Sequence, residues 1–167
     1  MSEPAPRFTR DEVVEMLGRG PERIAAATAG VTDGALLAPL EDGGWSARDV
    51  LGHMRACQQT WGGYIGRILD EDHPTFRAES PRSTIRRTDL LTLPFGASLD
   101  GFIAERAALV TRLRAAGAHL ESRRATVKLV GRGAQDRSAF HYAHRLAEHE
   151  LEHVAQIERA MAAGRGS

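Results

Sequence analysis

Apolar side chains recur every three or four residues along most of the chain, and clusters of Gly, Pro, Ser and Asp separate these stretches. That period is typical of amphipathic helices, so the pattern predicts an all-α protein. Thr9 and Glu12 have the spacing of a capping box, which predicts a first helix from Thr9. Gly18, Gly20 and Pro21 predict its end, with a second helical piece that begins at Pro21.

The clearest helix start lies at Ser46, before a long apolar stripe. Ser46 fits an N-cap, and Asp49 places a negative charge in the first turn, where the helix dipole favours it. We expect one face of this helix to pack against a core. That face carries Val50, Met54, Cys57, Trp61, Tyr64, Ile65 and Ile68.

Two further helices are predicted in the second half of the chain. Ser98 fits the N-cap of a helix that ends near Gly117, and the last helix runs from about Asp136 to Met161. Residues 122–137, which lie between them, fit either a short extended segment or a loop.

Residues 70–97 contain three prolines and show little periodicity, which predicts a long connection. Such a connection can cross a helical bundle, so that the helices before and after it run parallel. We expect one domain over residues 1–167, with its core at about 8–162 and a tail at 163–167.

Composition and charge narrow the classes of function. The chain has 167 residues, and its 22 Lys and Arg balance its 22 Asp and Glu. The zero net charge removes the positive field that binds nucleic acids or anionic membranes, so neither partner is expected. Residues 1–7 do not resemble a signal peptide, and no apolar run reaches the ~18 residues of a membrane span, so we expect a cytoplasmic protein. Cys57 is the single cysteine, which leaves histidines and carboxylates as the main candidate metal ligands.

The histidines carry the candidate chemistry. His149 and His153 are four residues apart on the last helix, so both imidazoles lie on one face. His53 lies at the edge of the apolar stripe of the long helix and is also expected to point inward. Three inward imidazoles are stable together if they share a divalent cation, and an open fourth position would make the site catalytic. The alternative to a metal site is that these histidines are satisfied by hydrogen bonds alone. His141 and His144 turn away from the face of His149 and are not expected to be ligands.

Two neighbours of these histidines have more than one interpretation. Glu150 lies in an H-E-x-x-H stretch, which is the metalloprotease pattern, but no later histidine or separate helix supplies a third protease ligand. Glu150 is therefore either a catalytic residue that polarises a metal-bound water or a solvated surface residue. Cys57 is either a buried inert thiol or a fourth ligand that closes a structural zinc site.

The remaining candidates are aromatic and basic side chains. Trp61 and Tyr64 fit core positions better than a substrate pocket. The basic run of Arg82, Arg86 and Arg87 fits a solvated surface better than a contact with an anionic thiol.

Two segments resemble the motifs of a known family. Residues 44–54, G-W-S-A-R-D-V-L-G-H-M, are similar to a W-S-x-x-[DE]-V-L-x-H-[LM] helix start. Residues 149–157, H-E-L-E-H-V-A-Q-I, are similar to an H-x-x-x-H-x-x-Q-I helix. Both motifs belong to the DinB-like metal-binding four-helix bundles, which include bacterial mycothiol- and bacillithiol-dependent S-transferases, and the resemblance extends over roughly residues 8–162.

The resemblance implies an up-down-down-up four-helix bundle in which His53, His149 and His153 bind a divalent metal, zinc or nickel, with water completing the coordination. It implies a small-molecule substrate and an enzyme that uses the metal to activate a low-molecular-weight thiol, such as mycothiol, for attack on an electrophile. Hydrolysis by metal-bound water and a non-enzymatic metal- or ligand-binding bundle are the alternatives. Relatives often dimerise, so the resemblance also allows a homodimer.

Overall fold

The structure is a computed structural model that describes residues 5–40 and 44–165. Its body consists of long helices: α1 (Arg10–Thr28), α3 (Ala47–Asp70), α5 (Phe95–Ala116) and α7 (Ala139–Arg165). Short helices lie between them: α2 (Asp33–Leu37), α4 (Pro81–Arg87) and α6 (His119–Ser122). The predicted helical character of the chain is confirmed.

A small sheet accompanies the helices and departs from the all-α expectation. Its strands are β1 (Thr75–Arg77), β2 (Arg124–Leu129) and β3 (Gly133–Ser138), in the order β1-β2-β3. β1 pairs in parallel with β2, and β2 and β3 form an antiparallel hairpin. Most of the segment 122–137, for which the sequence fits either an extended segment or a loop, is therefore a β-hairpin. The 70–97 connection is not irregular throughout, since it contains β1 and α4.

The predicted capping box at Thr9 and the predicted N-cap at Ser46 are confirmed. The Thr9 hydroxyl accepts a hydrogen bond from the Glu12 amide at 3.3 Å, and the Glu12 carboxylate accepts one from the Thr9 amide at 2.7 Å. Ser46 and Asp49 make the same reciprocal pair before α3. Each box satisfies backbone donors that the first turn of a helix leaves without partners.

The boundaries of α5 and α7 differ from the predicted ones. α5 begins at Phe95, one turn before the expected start, because the Pro94 carbonyl already accepts a hydrogen bond from the Ser98 amide at 3.0 Å. α7 begins at Ala139, because Asp136 belongs to the hairpin. It ends at Arg165, whose guanidinium donates to two carbonyls at the end of α1. Residues 163–165 of the predicted tail are therefore helical, and residues 166–167 lie outside the described residues.

α1 continues through Pro21, so the predicted break at that residue was wrong. A proline inside a helix removes the N–H that would bond the carbonyl four residues earlier, which here is that of Leu17. Arg106 on α5 supplies the missing donor, since its Nη1 lies 2.8 Å from the Leu17 carbonyl oxygen. Gly20 is buried in the same turn, where it leaves room for the carboxylate of Glu150.

Arg106 and Glu150 form a buried ion pair between α5 and α7. They are only 1% and 4% exposed, and they make two parallel hydrogen bonds of 2.8 and 2.5 Å. The Nε of Arg106 also donates to the side-chain oxygen of Gln58 on α3 at 2.5 Å. The expected surface position of Glu150 was wrong, because its carboxylate neutralises a guanidinium that the core has removed from water.

This polar layer lies between two apolar clusters along α1, α5 and α7. One cluster includes Leu17, Ile65, Leu113 and Leu146, and the other includes Ile24, Leu51, Phe102 and Ile157. Among the described residues, no helix combines the length and the apolar character that a membrane span requires.

The close approach of Gly20 to Glu150 predicts opposite effects of two alanine substitutions in α1. A Cβ at Gly20 would lie 2.0 Å from Oε1 of Glu150, whereas a Cβ at Gly18 has Nη2 of Arg114 at 4.0 Å as its nearest neighbour. We expect Gly20→Ala to lower the free energy of unfolding by about 1–3 kcal/mol, because the carboxylate must move away from Arg106. Gly18→Ala should raise it by about 0.5–1 kcal/mol through helix propensity.

Urea denaturation of both variants, followed by circular dichroism, measures this difference. Equal stability of the two variants would show that the contact between α1 and α7 does not constrain Glu150.

Candidate metal centre

Two facing helices present the candidate site. Each contributes three side chains at four-residue intervals, which places them on one face. The ring centroid of His53 lies 5.1 Å from that of His153, and the centroid of Trp61 lies 5.4 Å from that of His149, so α3 and α7 run antiparallel. The two rows are His53, Cys57 and Trp61 on α3, and Arg145, His149 and His153 on α7.

The rings of the three predicted histidines lie close together, but among the described residues the ligand atoms that lie within 4.8 Å of one another belong to His53, Cys57 and His149 and not to His153. The Nε2 atoms of His53 and His149 are 3.1 Å apart, and the ring centroids of His149 and His153 are 4.6 Å apart. With Zn–N bonds of about 2.0–2.1 Å, two nitrogens on one tetrahedral ion lie about 3.3 Å apart. The separation of His53 and His149 therefore fits a shared divalent cation. Coordination by all three histidines stays a prediction.

Cys57 lies in the same cluster, next to His53. Its Sγ is 3.6 Å from the His53 Nε2, and His53, Cys57 and His149 offer ligand atoms that all lie within 4.8 Å of one another. With a Zn–S bond of about 2.3 Å, a sulfur and a nitrogen on one tetrahedral ion lie about 3.6 Å apart. These distances therefore fit a shared metal either with or without Cys57 as a ligand beside His53 and His149.

Burial sets the protonation of His53 and His149. It lowers the pKa of both His53 and His149 to about 4, and the charge of His153 adds to this effect. Arg82 contributes to the lowered pKa of His53, and Arg145 contributes to that of His149. Both imidazoles are neutral at pH 7, so each keeps a lone pair for a metal. Burial also raises the pKa of the Cys57 thiol to about 12.

Neighbouring side chains orient the histidines. The side-chain oxygen of Gln156 lies 3.3 Å from Nδ1 of His153, a contact that fixes the orientation of that ring. The ring of Trp45 packs 4.9 Å from that of His53. The sequence alone predicts no role for either residue. The spacing of Gln156, three residues after His153, is the signal that identifies it as an orienting partner.

A cavity of about 780 Å³ opens beside His149. Trp61, Phe140 and Arg145 line it together with His149, and Glu148 and Glu152 contribute acidic groups. Trp61 is thus part of both the core and the cavity wall. Tyr64 is not among the cavity residues in the described structure, and its hydroxyl instead bonds the backbone of Glu79.

The other candidates lie outside the cluster. His144 accepts a hydrogen bond from the Phe8 amide at 3.3 Å and lines the cavity with His141. Arg87 pairs with Glu79, and Arg86 donates to Ser83. Both carboxylate oxygens of Glu150 bind Arg106, so these contacts give no support to its predicted catalytic role.

Comparisons with known proteins agree with this fold. A family model described as the DinB superfamily matches residues 16–157. Among solved structures, the chain is similar to YfiT from Bacillus subtilis, which is described as a probable metal-dependent hydrolase with an unusual four-helix bundle topology. The two chains share 19% sequence identity with a TM-score of 0.74, and the match covers 95% of this chain and 91% of YfiT. The search of curated proteins gave no match.

The cluster predicts that metal retention depends on His53. We expect the purified, untagged protein to carry about one equivalent of zinc or nickel, and His53→Ala to lose most of it, because the variant removes a ligand. His119→Ala is the matched control, since His119 is exposed on α6 and outside the cluster. Elemental analysis measures both. Equal metal content in the two variants would contradict the site.

A second prediction separates the open site from the closed one. The Cys57 thiol is 1% exposed and burial raises its pKa to about 12, so without a metal it is protonated and shielded from solvent. We expect Cys57→Ala to keep its metal and the cobalt-substituted protein to lack thiolate-to-cobalt charge-transfer absorption. A charge-transfer band in the wild type that disappears in Cys57→Ala would instead establish the closed site.

Proposed function

The chain belongs to the DinB superfamily, and we propose that it is a metal-dependent enzyme that transfers a low-molecular-weight thiol to an electrophilic substrate. The observation that carries this proposal is the position of His149, which lies in the histidine cluster and also lines the cavity. A metal that only braced the helices would need no such opening. The resemblance of residues 44–54 and 149–157 to the motifs of thiol-dependent S-transferases supports the choice of a thiol.

The chain's own residues have distinct tasks in this proposal. His53, His149 and His153 would hold zinc or nickel, as imidazole nitrogens are ligands for either ion. Bound there, the metal supplies Lewis-acid chemistry that lowers the pKa of a coordinated thiol or water. Trp45 and Trp61 pack against the rings of His53 and His149 and keep water away from those faces.

The thiol in this proposal comes from a cofactor and not from the protein. Cys57 is the only cysteine in the sequence. Its side chain is buried and its pKa is raised to about 12, so without a metal it is neither a thiolate at pH 7 nor accessible to a substrate. A separate small thiol, such as mycothiol, is therefore the proposed nucleophile.

The proposal extends to the topology of the bundle. Arg55 on α3 pairs with Glu105 on α5, and Arg112, further along α5, bonds the carbonyl of Gly66, further along α3. These contacts support parallel α3 and α5 helices, joined by the 70–97 crossover. Together with the antiparallel α3 and α7, they support the up-down-down-up arrangement.

Hydrolysis is the second candidate function. The same metal chemistry activates a water molecule. The fold is similar to that of YfiT, which is described as a probable metal-dependent hydrolase. The two candidates differ in one requirement, since hydrolysis consumes water and proceeds without any added thiol.

Activity assays with and without thiol test the proposal. We expect the metal-loaded protein to consume a thiol in the presence of an electrophile such as monochlorobimane. His149→Ala should lose this activity by about 100-fold or more, because a metal contributes several kcal/mol to such reactions. His119→Ala serves as the control with an intact cluster.

Each alternative has its own outcome. Product formation from ester substrates without a thiol would replace transfer with hydrolysis. If chelation strongly lowers the melting temperature and the loaded protein has neither activity, the metal braces the bundle and the enzymatic proposal is wrong.

A further inference from the structure

Arg145 occupies a distinctive position beside the histidine cluster. It lies one turn before His149 on α7 and is exposed in the cavity. Its guanidinium carbon lies 4.9 Å from the centre of the Trp61 ring, and the Trp61 ring meets that of His149 nearly at a right angle. Arg145, Trp61 and His149 therefore form a continuous wall that extends from the cavity to the cluster.

No carboxylate of the described residues lies within ion-pair distance of Arg145. Other arginines of this protein do have such partners, as in the pairs Arg23–Glu158, Arg55–Glu105, Arg67–Glu71 and Arg87–Glu79. Glu148 and Glu152 line the same cavity, yet neither of them pairs with Arg145. A guanidinium held over an aromatic ring keeps its in-plane N–H donors available for a further partner.

We propose that the cavity binds a substrate with an anionic group, a carboxylate or a phosphate, and that Arg145 binds this group and selects for it. A guanidinium recognises either anion through two parallel hydrogen bonds. Side chains one helical turn apart have Cβ atoms about 5–6 Å apart, so a small molecule can contact Arg145 and the cluster together. This inference rests on the proposed function, because it assigns the charge of the substrate that the metal site would act on.

Direct binding of simple anions tests the proposal. Both tryptophans contact cluster histidines, so their fluorescence reports on ligands in the cavity. The probes are succinate, inorganic phosphate and the neutral analogue succinamide, titrated into metal-free and metal-loaded protein. In the titration of metal-free protein, an anion cannot bind to the metal, so any binding measured there is to protein side chains.

We expect succinate or phosphate to bind and succinamide to bind weakly or not at all. Arg145→Gln should weaken anion binding by about tenfold or more, because it removes a hydrogen bond to a charged group. Arg145→Lys should bind with intermediate affinity, since it keeps the charge and loses the paired donors. Arg114→Gln is the control, since Arg114 is an exposed arginine on α5 that does not line this cavity.

The relative affinities of succinate and phosphate identify which anion the cavity takes. Equal anion binding by the wild type and Arg145→Gln, or binding by neither, would overturn the assignment. The metal content of each sample separates this result from a failure of the proposed function. Normal metal content without an effect of Arg145 rejects the anion site alone, whereas absent metal in every sample rejects the metal enzyme.

Discussion

The buried pair of Arg106 and Glu150 is the interaction on which the arrangement of the helices depends. Arg106 on α5 bonds Glu150 on α7, Gln58 on α3 and the Leu17 carbonyl on α1, so one guanidinium contacts all four long helices. A buried ion pair contributes little net stability, but the loss of one partner is costly. The pair therefore restricts how the helices can rotate and slide, because most other arrangements would leave a buried charge without a partner.

The candidate site follows from that restriction. Glu150 directly follows His149, so the contact that turns Glu150 toward Arg106 also determines which way His149 points. Successive residues on a helix differ in direction by about 100°, which directs His149 toward α3 while Glu150 faces the centre. His153 lies one turn further along the same face, close to His53. Beyond the contacts of Trp45, Trp61 and Gln156, the histidines therefore need few further contacts to orient them.

The sequence predicted those features that depend on local interactions. The capping box at Thr9 and the N-cap at Ser46 depend on residues within one helical turn, and the inward histidines follow from helical periodicity, so these features could be inferred from spacing. The continuity of α1 through Pro21 could not, because the donor that replaces the missing bond comes from Arg106, 89 positions away from Leu17. The hairpin partner of Asp136 and the burial of Glu150 likewise depend on packing between distant segments.

The H-E-x-x-H stretch shows why a short motif needs its structural context. In a metalloprotease the glutamate of this motif acts as a general base beside the metal, and the two histidines of the motif bind the ion together with a third ligand from elsewhere in the chain. Here the same three residues, His149, Glu150 and His153, occur on one helix, but the carboxylate accepts two hydrogen bonds from a buried guanidinium. A carboxylate in that position fixes the rotation of α7, and through it the direction of His149 and His153. The glutamate of the motif thus contributes to the site by positioning its helix. Because this glutamate is held by Arg106, the nucleophile of the proposed reaction has to come from outside the chain.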